Sequence, residues 1–352
     1  MHYLDRMRHR VEKLENPLVL AIETSCDETS VAVVRGREIL ANEIASQIPI
    51  HRLFGGVVPE IASRKHLEAV DGVVNAALET AGIGLRDLDG IAVTYGPGLV
   101  GALLTGVTAA KALAFALDIP LVGVHHIEGH IAANYVQDPE LIPPFLCLVV
   151  SGGHTHLVKV LDYGLYELMG QTRDDAAGEA FDKVARVLGL PYPGGPSVEQ
   201  AARAGNRKAF SFPRAFRGED HLDFSFSGVK TAVINEVNRL HQKDVFLPVA
   251  DLAASFQETV VDTLVRNTLR AVDRCRMKRV ALAGGVAANG ALRARMKEML
   301  SPQGIQLTVP DPILCTDNGA MIGCAGAYKL KAGNIAGLDL NAVPSLELVT
   351  RY

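Results

Sequence analysis

Tryptophan is missing from this chain, and aromatic residues supply only 5% of it, while glycine occurs 33 times in 352 residues. Few large rings and many glycines suit a fold with repeated tight strand-to-helix turns, as in α/β proteins. No apolar run is expected to reach the ~18–20 residues of a membrane span. Residues 1–16 lack an apolar core, which excludes a secretory signal, and Asp5, Glu12 and Glu15 argue against a transit peptide. That stretch reads as a frayed extension. The five cysteines (Cys26, Cys147, Cys275, Cys315, Cys324) have no paired spacing. This excludes a disulfide framework and points to reduced thiols in a cytoplasmic protein. Positive charge is not in excess either. The formal net charge is −4, so the chain is not wrapped in basic surface, although a local patch can still meet nucleic acid.

What is present reads as strands alternating with helices, in a length sufficient for two domains with real cores. Segments 18–22, 30–34 and 38–44 read as three consecutive strands. The first ends in a small, acidic, hydroxyl-rich turn, Glu23-Thr-Ser-Cys-Asp-Glu-Thr29. A helix follows over 60–81, then a buried strand at 90–94, the turn Tyr95-Gly-Pro-Gly-Leu-Val-Gly101, and a helix to Leu117. That glycine turn has two readings: a ligand approaching a helix N-terminus, or close packing of helix on strand. Asp138-Pro139 and Pro143-Pro144 mark a domain boundary.

From Phe145 the pattern recurs as strand, small polar turn Ser151-Gly-Gly-His-Thr155, strand, turn, strand. The recurrence predicts two structurally similar halves whose first turns face one cleft. Ser151-Gly152-Gly153 offers backbone N–H groups without obstructing side chains, as a phosphate cradle needs. A strand at 279–283 followed by Gly284-Gly-Val-Ala-Ala-Asn289 suits a nucleoside lying against the backbone. Between Arg203 and Lys230, Arg207, Lys208, Arg214 and Arg217 interleave with Phe210, Phe212, Phe216, Phe224 and Phe226. This segment reads either as an RNA contact or as a phenylalanine core with solvated charges.

Chemistry concentrates in Val122-Gly-Val-His-His-Ile-Glu-Gly-His-Ile-Ala-Ala133, where a strand gives way to a helix. His126 and His130 are four apart and share one helix face, so they can hold one metal ion; the plain alternative is buried histidines that only hydrogen-bond. Asp317 sits at a helix start, where an aspartate is either a cap or an acidic third ligand. Zinc proteases with a His-Glu-x-x-His motif place the glutamate directly after the first histidine. Here Ile127 holds that position and Glu128 comes one later, which turns the carboxylate ~100° around the helix.

Seven motifs follow one another in order: Ile22-Glu-Thr-Ser-Cys-Asp-Glu-Thr29, His126-Ile-Glu-Gly-His130, Leu148-Val-Val-Ser-Gly-Gly-His-Thr155, Gly178-Glu-Ala-Phe-Asp-Lys183, Tyr192-Pro-Gly-Gly-Pro196, Gly284-Gly-Val-Ala-Ala-Asn289 and Cys315-Thr-Asp-Asn-Gly319. On these, residues 18 to 335 resemble the TsaD family of tRNA threonylcarbamoyladenosine-forming proteins, earlier labelled glycoproteases. The loop Gly55-Gly-Val-Val-Pro-Glu60 resembles the bacterial or organellar branch, and residues 1–16 are not covered. The resemblance implies an α/β, duplicated actin-like and Hsp70-like ATPase (ASKHA) fold, two lobes around a central nucleotide cleft. Residues 17–144 form its N-terminal lobe, with a helix at 316–335 packing back. Residues 145–315 form the C-terminal lobe with helical insertions, and 336–352 a tail.

The resemblance also implies an activity. The threonylcarbamoyl group passes from threonylcarbamoyl-AMP to N6 of adenosine 37 in tRNAs reading ANN codons, and AMP leaves. By motif, His126, His130 and Asp317 would bind one divalent metal, Fe2+ or in vitro Zn2+. Val149, Val150, Ser151, Gly152, Gly153, Asp182, Gly195, Glu199 and Asn289 would contact the adenylate. Asp27 or Glu28 is expected to orient the amine or collect its proton, and His125 to stand behind the metal ligands. The implied partners are tRNA, a TsaB-like paralogue, a TsaE-like ATPase and a TsaC-type enzyme that supplies the adenylate, without a membrane. A metalloprotease and a non-catalytic ATP-binding switch of the Hsp70 type are the competing readings.

Overall fold

In the computed structural model the described residues are 3–12 and 14–348, and the chain divides into two compact units. Residues 1, 2, 13 and 349–352, parts of the expected extension and tail, lie outside the described residues. Unit 1 holds residues 1–142, 162–165 and 316–352; unit 2 holds 143–161 and 166–315.

Unit 1 contains β1 (Leu18–Glu23), β2 (Glu28–Arg35), β3 (Glu38–Ser46), β4 (Gly90–Gly96) and β5 (Leu121–His125), in the order β3-β2-β1-β4-β5. The first three form an antiparallel meander, and β4 and β5 add in parallel. Every residue of β1 is buried because helices cover both faces of the sheet. Leu18, Leu20 and Ile22 join one core with Val70, Val74 and Ala77 of the Pro59–Ala81 helix and with Val107, Ala110 and Ala114 of the Val100–Leu117 helix. The alternate residue Ala21, with Ala92 of β4, faces the Gly319–Lys331 helix, where small residues on both sides let the helix sit close to the sheet.

Unit 2 contains β6 (Phe145–Val150), β7 (Thr155–Asp162), β8 (Leu165–Gln171), β9 (Arg279–Ala283) and β10 (Gln306–Thr308), in the order β10-β9-β6-β7-β8. β6 pairs antiparallel with β7 and parallel with β9, which pairs parallel with β10. Strand for strand this repeats unit 1: a three-strand meander whose first member takes two further parallel strands.

Three expectations change. Residues 3–11 are not frayed: they form a helix, Tyr3–Val11, whose Met7 and Val11 are buried. Its Tyr3 hydroxyl donates to Ile119 O (2.7 Å), and Arg6 and Arg10 hold Asp118. Tyr3, Met7 and Val11 recur every four residues, a helical stripe that the surrounding charges obscure. Second, the Val100–Leu117 helix is long and apolar enough to cross a membrane by length and composition alone. Leu103, Val107, Ala110 and Ala114 form a buried stripe along it, while Val100, Leu104 and Phe115 are exposed. Third, residues 336–348 are laid across unit 1: Ala336 N–H donates to Leu121 O and Val343 N–H to Tyr95 O, both at 2.7 Å.

Two open readings narrow as well. Phe212, Phe224 and Phe226 are buried in the unit 2 core, Arg214 pairs with Asp262 (2.6 Å) and Lys230 with Asp175 (2.6 Å). Phe212, Phe224 and Phe226 therefore belong to the core, while Arg207, Lys208 and Arg217 stay exposed on the surface. At the Tyr95–Gly101 turn, a Cβ on Gly98 would lie 2.6 Å from Ser25 O, so close packing accounts for that glycine.

Candidate active site

Three turns of unit 1 converge. β5 ends at His125, and the His126–Gln137 helix starts at once. His125 Nδ1 accepts the Ile127 N–H (3.1 Å), which caps this helix. A nitrogen that accepts carries no proton, so the ring proton is on Nε2, which faces Leu346 O at 3.2 Å. Both nitrogens of His125 are thus occupied by backbone. His126 and His130 project together one turn apart, ring centroids 4.6 Å from each other.

Gly129 lies between them in sequence, and a Cβ there would meet Ile322 Cδ1 at 2.6 Å, so glycine lets the Gly319–Lys331 helix come close. At the start of that second helix the cap is Asn318, whose Oδ1 accepts the Met321 N–H (2.9 Å). Asp317 is released from capping. Its Oδ1 lies 3.2 Å from His130 Nε2 and 3.5 Å from His126 Nε2.

The donor atoms of His126, His130 and Asp317 all lie within 4.8 Å of one another. His130 is fully buried, and neither ring nitrogen makes a hydrogen bond of ordinary geometry. Buried polar atoms need partners, and two imidazoles with one carboxylate are a donor set that suits a transition metal. The residues therefore fit a metal ion. Without one, burial pulls the His126 pKa down, but the carboxylates of Asp317 and Glu23 outweigh it and lift it to about 9. For His130 burial dominates, and its pKa is lowered. Burial raises the Glu23 carboxyl, yet the charge and hydrogen bond of His126 leave it below the usual range.

Asp27 and Glu28 belong to the same region. Burial first, then the charges of Asp27 and Asp317, push the Glu28 carboxyl up to about 9. In the metal-free protein this favours the protonated form of Glu28 near neutral pH, and its Oε1 accepts the Ser46 hydroxyl at 3.0 Å. Sequence reasoning missed the residues that hold this turn. His66, buried on the Pro59–Ala81 helix, places Nε2 2.9 Å from Cys26 O and Nδ1 2.8 Å from Thr29 Oγ1. A carbonyl only accepts, so Nε2 donates and Nδ1 accepts the threonine hydroxyl. Glu23, Ser25 and Thr94 were missed too: Glu23 closes a buried strand, where a charged residue inside an apolar run was the available signal.

Glu128 is buried and its Oε2 pairs with Lys329 Nζ at 3.0 Å. It is committed to a structural pair, as the one-residue shift from a protease motif suggests.

The other expected site residues lie in unit 2. Val149 and Val150 are fully buried in β6, so their side chains fill the core and the turn after them is the part open to a ligand. Gly284, at φ +84°, lets its turn reach Val150, since a Cβ would lie 2.5 Å from Val150 O. Gly152, Gly153, Gly195 and Gly285 differ: a Cβ on any of them would meet nothing within 4 Å. Packing does not require glycine at those four, and bare backbone there suits a phosphate or nucleoside. Asp182 Oδ1 accepts the Gly194 N–H (2.7 Å) at the start of the Gly194–Ala202 helix, beside Gly195. Further along that helix Glu199 accepts from Gly290 N–H (3.1 Å) and Asn289 Nδ2 (3.3 Å). Asn289 caps the Gly290–Leu300 helix through Leu292 N–H and also donates to Gln257. Hydrogen bonds and close backbone approach thus link the segments carrying Ser151, Asp182, Glu199 and Asn289 within one unit.

Comparison with known proteins assigns the chain to a family. A family model described as TsaD, tRNA N6-adenosine threonylcarbamoyltransferase, matches residues 38–324. A protein of that name from Clostridium perfringens strain SM101 is 56% identical over 96% of this chain and all of its own length. One from Clostridioides difficile is 56% identical over 94% of this chain and 98% of its own. Among solved structures, full-length HypF in its phosphate- and nucleotide-bound form covers 90% of this chain and 56% of its own, with TM-score 0.60 and 14% identity. The 2-hydroxyisocaproyl-CoA dehydratase activator from Clostridium difficile, with bound ADPNP, covers 90% of this chain and 96% of its own, with TM-score 0.52 and 13% identity. At such identities the structural likenesses establish the shared actin-like fold alone. The sequence relationship goes further, and on it the chain belongs to the tRNA N6-adenosine threonylcarbamoyltransferase family and is a transferase.

Proposed function

We propose that this transferase passes the threonylcarbamoyl group of threonylcarbamoyl-AMP to N6 of adenosine 37 in tRNAs reading ANN codons, forming t6A. The observation that carries the reading is the cluster of His126, His130 and Asp317 beside Asp27 and Glu28. A divalent ion held by the first three, Fe2+ by the donor set or Zn2+ in vitro, supplies Lewis acidity and fixed positive charge. In the reaction the N6–carbamoyl bond forms, the bond from the carbamoyl carbon to the adenylate phosphate oxygen breaks, and N6 loses a proton. Asp27 or Glu28 orients the incoming amine or collects the N6 proton. The turn amides of Ser151 to Gly153 cradle the adenylate phosphate and stabilise charge on the departing AMP. Asp182 fixes the turn at Gly194 and Gly195, and Glu199 with Asn289 supports the nucleoside side.

We place the protein in the cytoplasm, in line with its free cysteines, and with a TsaB-like paralogue, a TsaE-like ATPase and an upstream TsaC-type enzyme. The test is single-turnover transfer from preformed adenylate to tRNA with the partners present, t6A being read by mass spectrometry. Asp27→Ala is expected to slow transfer by roughly 10²–10⁴-fold, with adenylate still bound. An unchanged rate removes Asp27 from the chemistry, and no t6A from the wild-type protein favours the non-catalytic switch.

A further inference from the structure

The carboxylate of Glu23 is fully buried, at the end of β1, with three donors around it. Oε1 accepts the Ser25 N–H; Oε2 accepts the Thr94 hydroxyl and lies 3.2 Å from His126 Nδ1. The Ser25 N–H on one oxygen and the Thr94 hydroxyl on the other hold the carboxylate in this orientation. An imidazole that binds a metal through one nitrogen carries its proton on the other, and the partner of that proton fixes the ring.

We propose that Glu23 is a positioning residue for His126: it accepts the Nδ1 proton, holds the ring, and leaves Nε2 bare on the side of Asp317 and His130. This rests on the metal-dependent reading above and adds a residue that binds neither metal nor substrate. Ser25 Oγ also lies near Nδ1, at 3.1 Å. It is a neutral acceptor, and hydrogen bonds to an ionised acceptor are about twice as strong. Glu23 therefore dominates, and Ser25 acts mainly through its backbone N–H on Oε1. His130 has no such anchor, since its Nδ1 makes no hydrogen bond. The two histidines are unequal ligands: the first is held at Nδ1 by a carboxylate, whereas the second meets Asp317 through Nε2 and packs against the His126 ring.

The experiment measures Co2+ and Zn2+ binding to the full-length protein, with the visible absorption of the cobalt form as a reporter of ligand geometry. His126→Ala is expected to abolish the site. Glu23→Gln, similar in shape but uncharged, is expected to weaken binding about 10–100-fold and to shift the cobalt bands. Ser25→Ala is expected to stay close to wild type. In the zinc form, 15N spectra of wild type are expected to show His126 protonated on Nδ1 and bound through Nε2. Should Glu23→Gln fail to fold, Thr94→Val, which keeps the charge but frees Oε2, is expected to give a smaller loss in the same direction. Folded Glu23→Gln (or, in its place, Thr94→Val) with wild-type affinity and unchanged bands overturns the assignment, as does Ser25→Ala reproducing the whole loss. If His126→Ala binds like wild type, the metal site itself is wrong and this inference falls with it.

Discussion

Asp317 faces two histidines, and its neighbour takes the cap. An aspartate and an asparagine side by side at a helix start are chemically interchangeable as caps, so the sequence leaves open which of them points inward. The structure assigns the cap to Asn318. The histidine pair is legible because a spacing of four is one helical turn. Glu23 and His66 are not, because both act through side-chain contacts between segments far apart in sequence. Glu28 yields a prediction at this scale. Its folded pKa of about 9 stands above the ~4.3 of an unfolded glutamate. Metal-free protein therefore binds one more proton folded than unfolded between those values. That stabilisation is complete below ~4.3 and is lost as pH rises to about 9, at up to ~1.4 kcal/mol per pH unit. Denaturant unfolding across that range is expected to show a flatter pH dependence in Glu28→Gln than in wild type; parallel curves would count against the proton on Glu28.

At the scale of elements, the same residue type performs two tasks in neighbouring turns. Gly284 is needed by the fold, being left-handed and pressed on Val150 O, whereas Gly153 has open space where a side chain would stand. Gly284→Ala is accordingly expected to lose about 1–3 kcal/mol. Gly153→Ala is expected to stay within ~0.5 kcal/mol in stability while weakening adenylate binding. Urea titration and adenylate binding to the two variants check this, and a reversed order of stabilities would contradict it. In the sequence both glycines follow a strand and look alike. Only the distance to another segment separates them. The Tyr3–Val11 helix was hidden for a related reason: its apolar stripe is three residues wide among charges, and its value lies in Ile119 and Asp118, which are remote in sequence. The meanders, by contrast, were legible because buried strands and polar turns alternate locally at both Leu18 and Phe145.

For the whole molecule, the two sheets share one connection order, so the recurrence in sequence corresponds to a repeated topology. That topology does not choose a reaction, since proteins with the same fold at 13–14% identity carry other names. What differs between the halves is chemical: unit 1 holds two imidazoles and a group of carboxylates, and unit 2 holds bare glycine turns. The central claim is that transfer depends on a metal held by His126, His130 and Asp317. The most direct measurement is t6A formation in a single turnover by metal-stripped protein, with partners, adenylate and tRNA supplied, before and after one equivalent of Fe2+ or Zn2+ is added. The stripped protein is expected to form no t6A, the reloaded protein to recover, and His130→Ala to stay inactive either way. Equal rates in stripped, reloaded and His130→Ala protein would contradict the account.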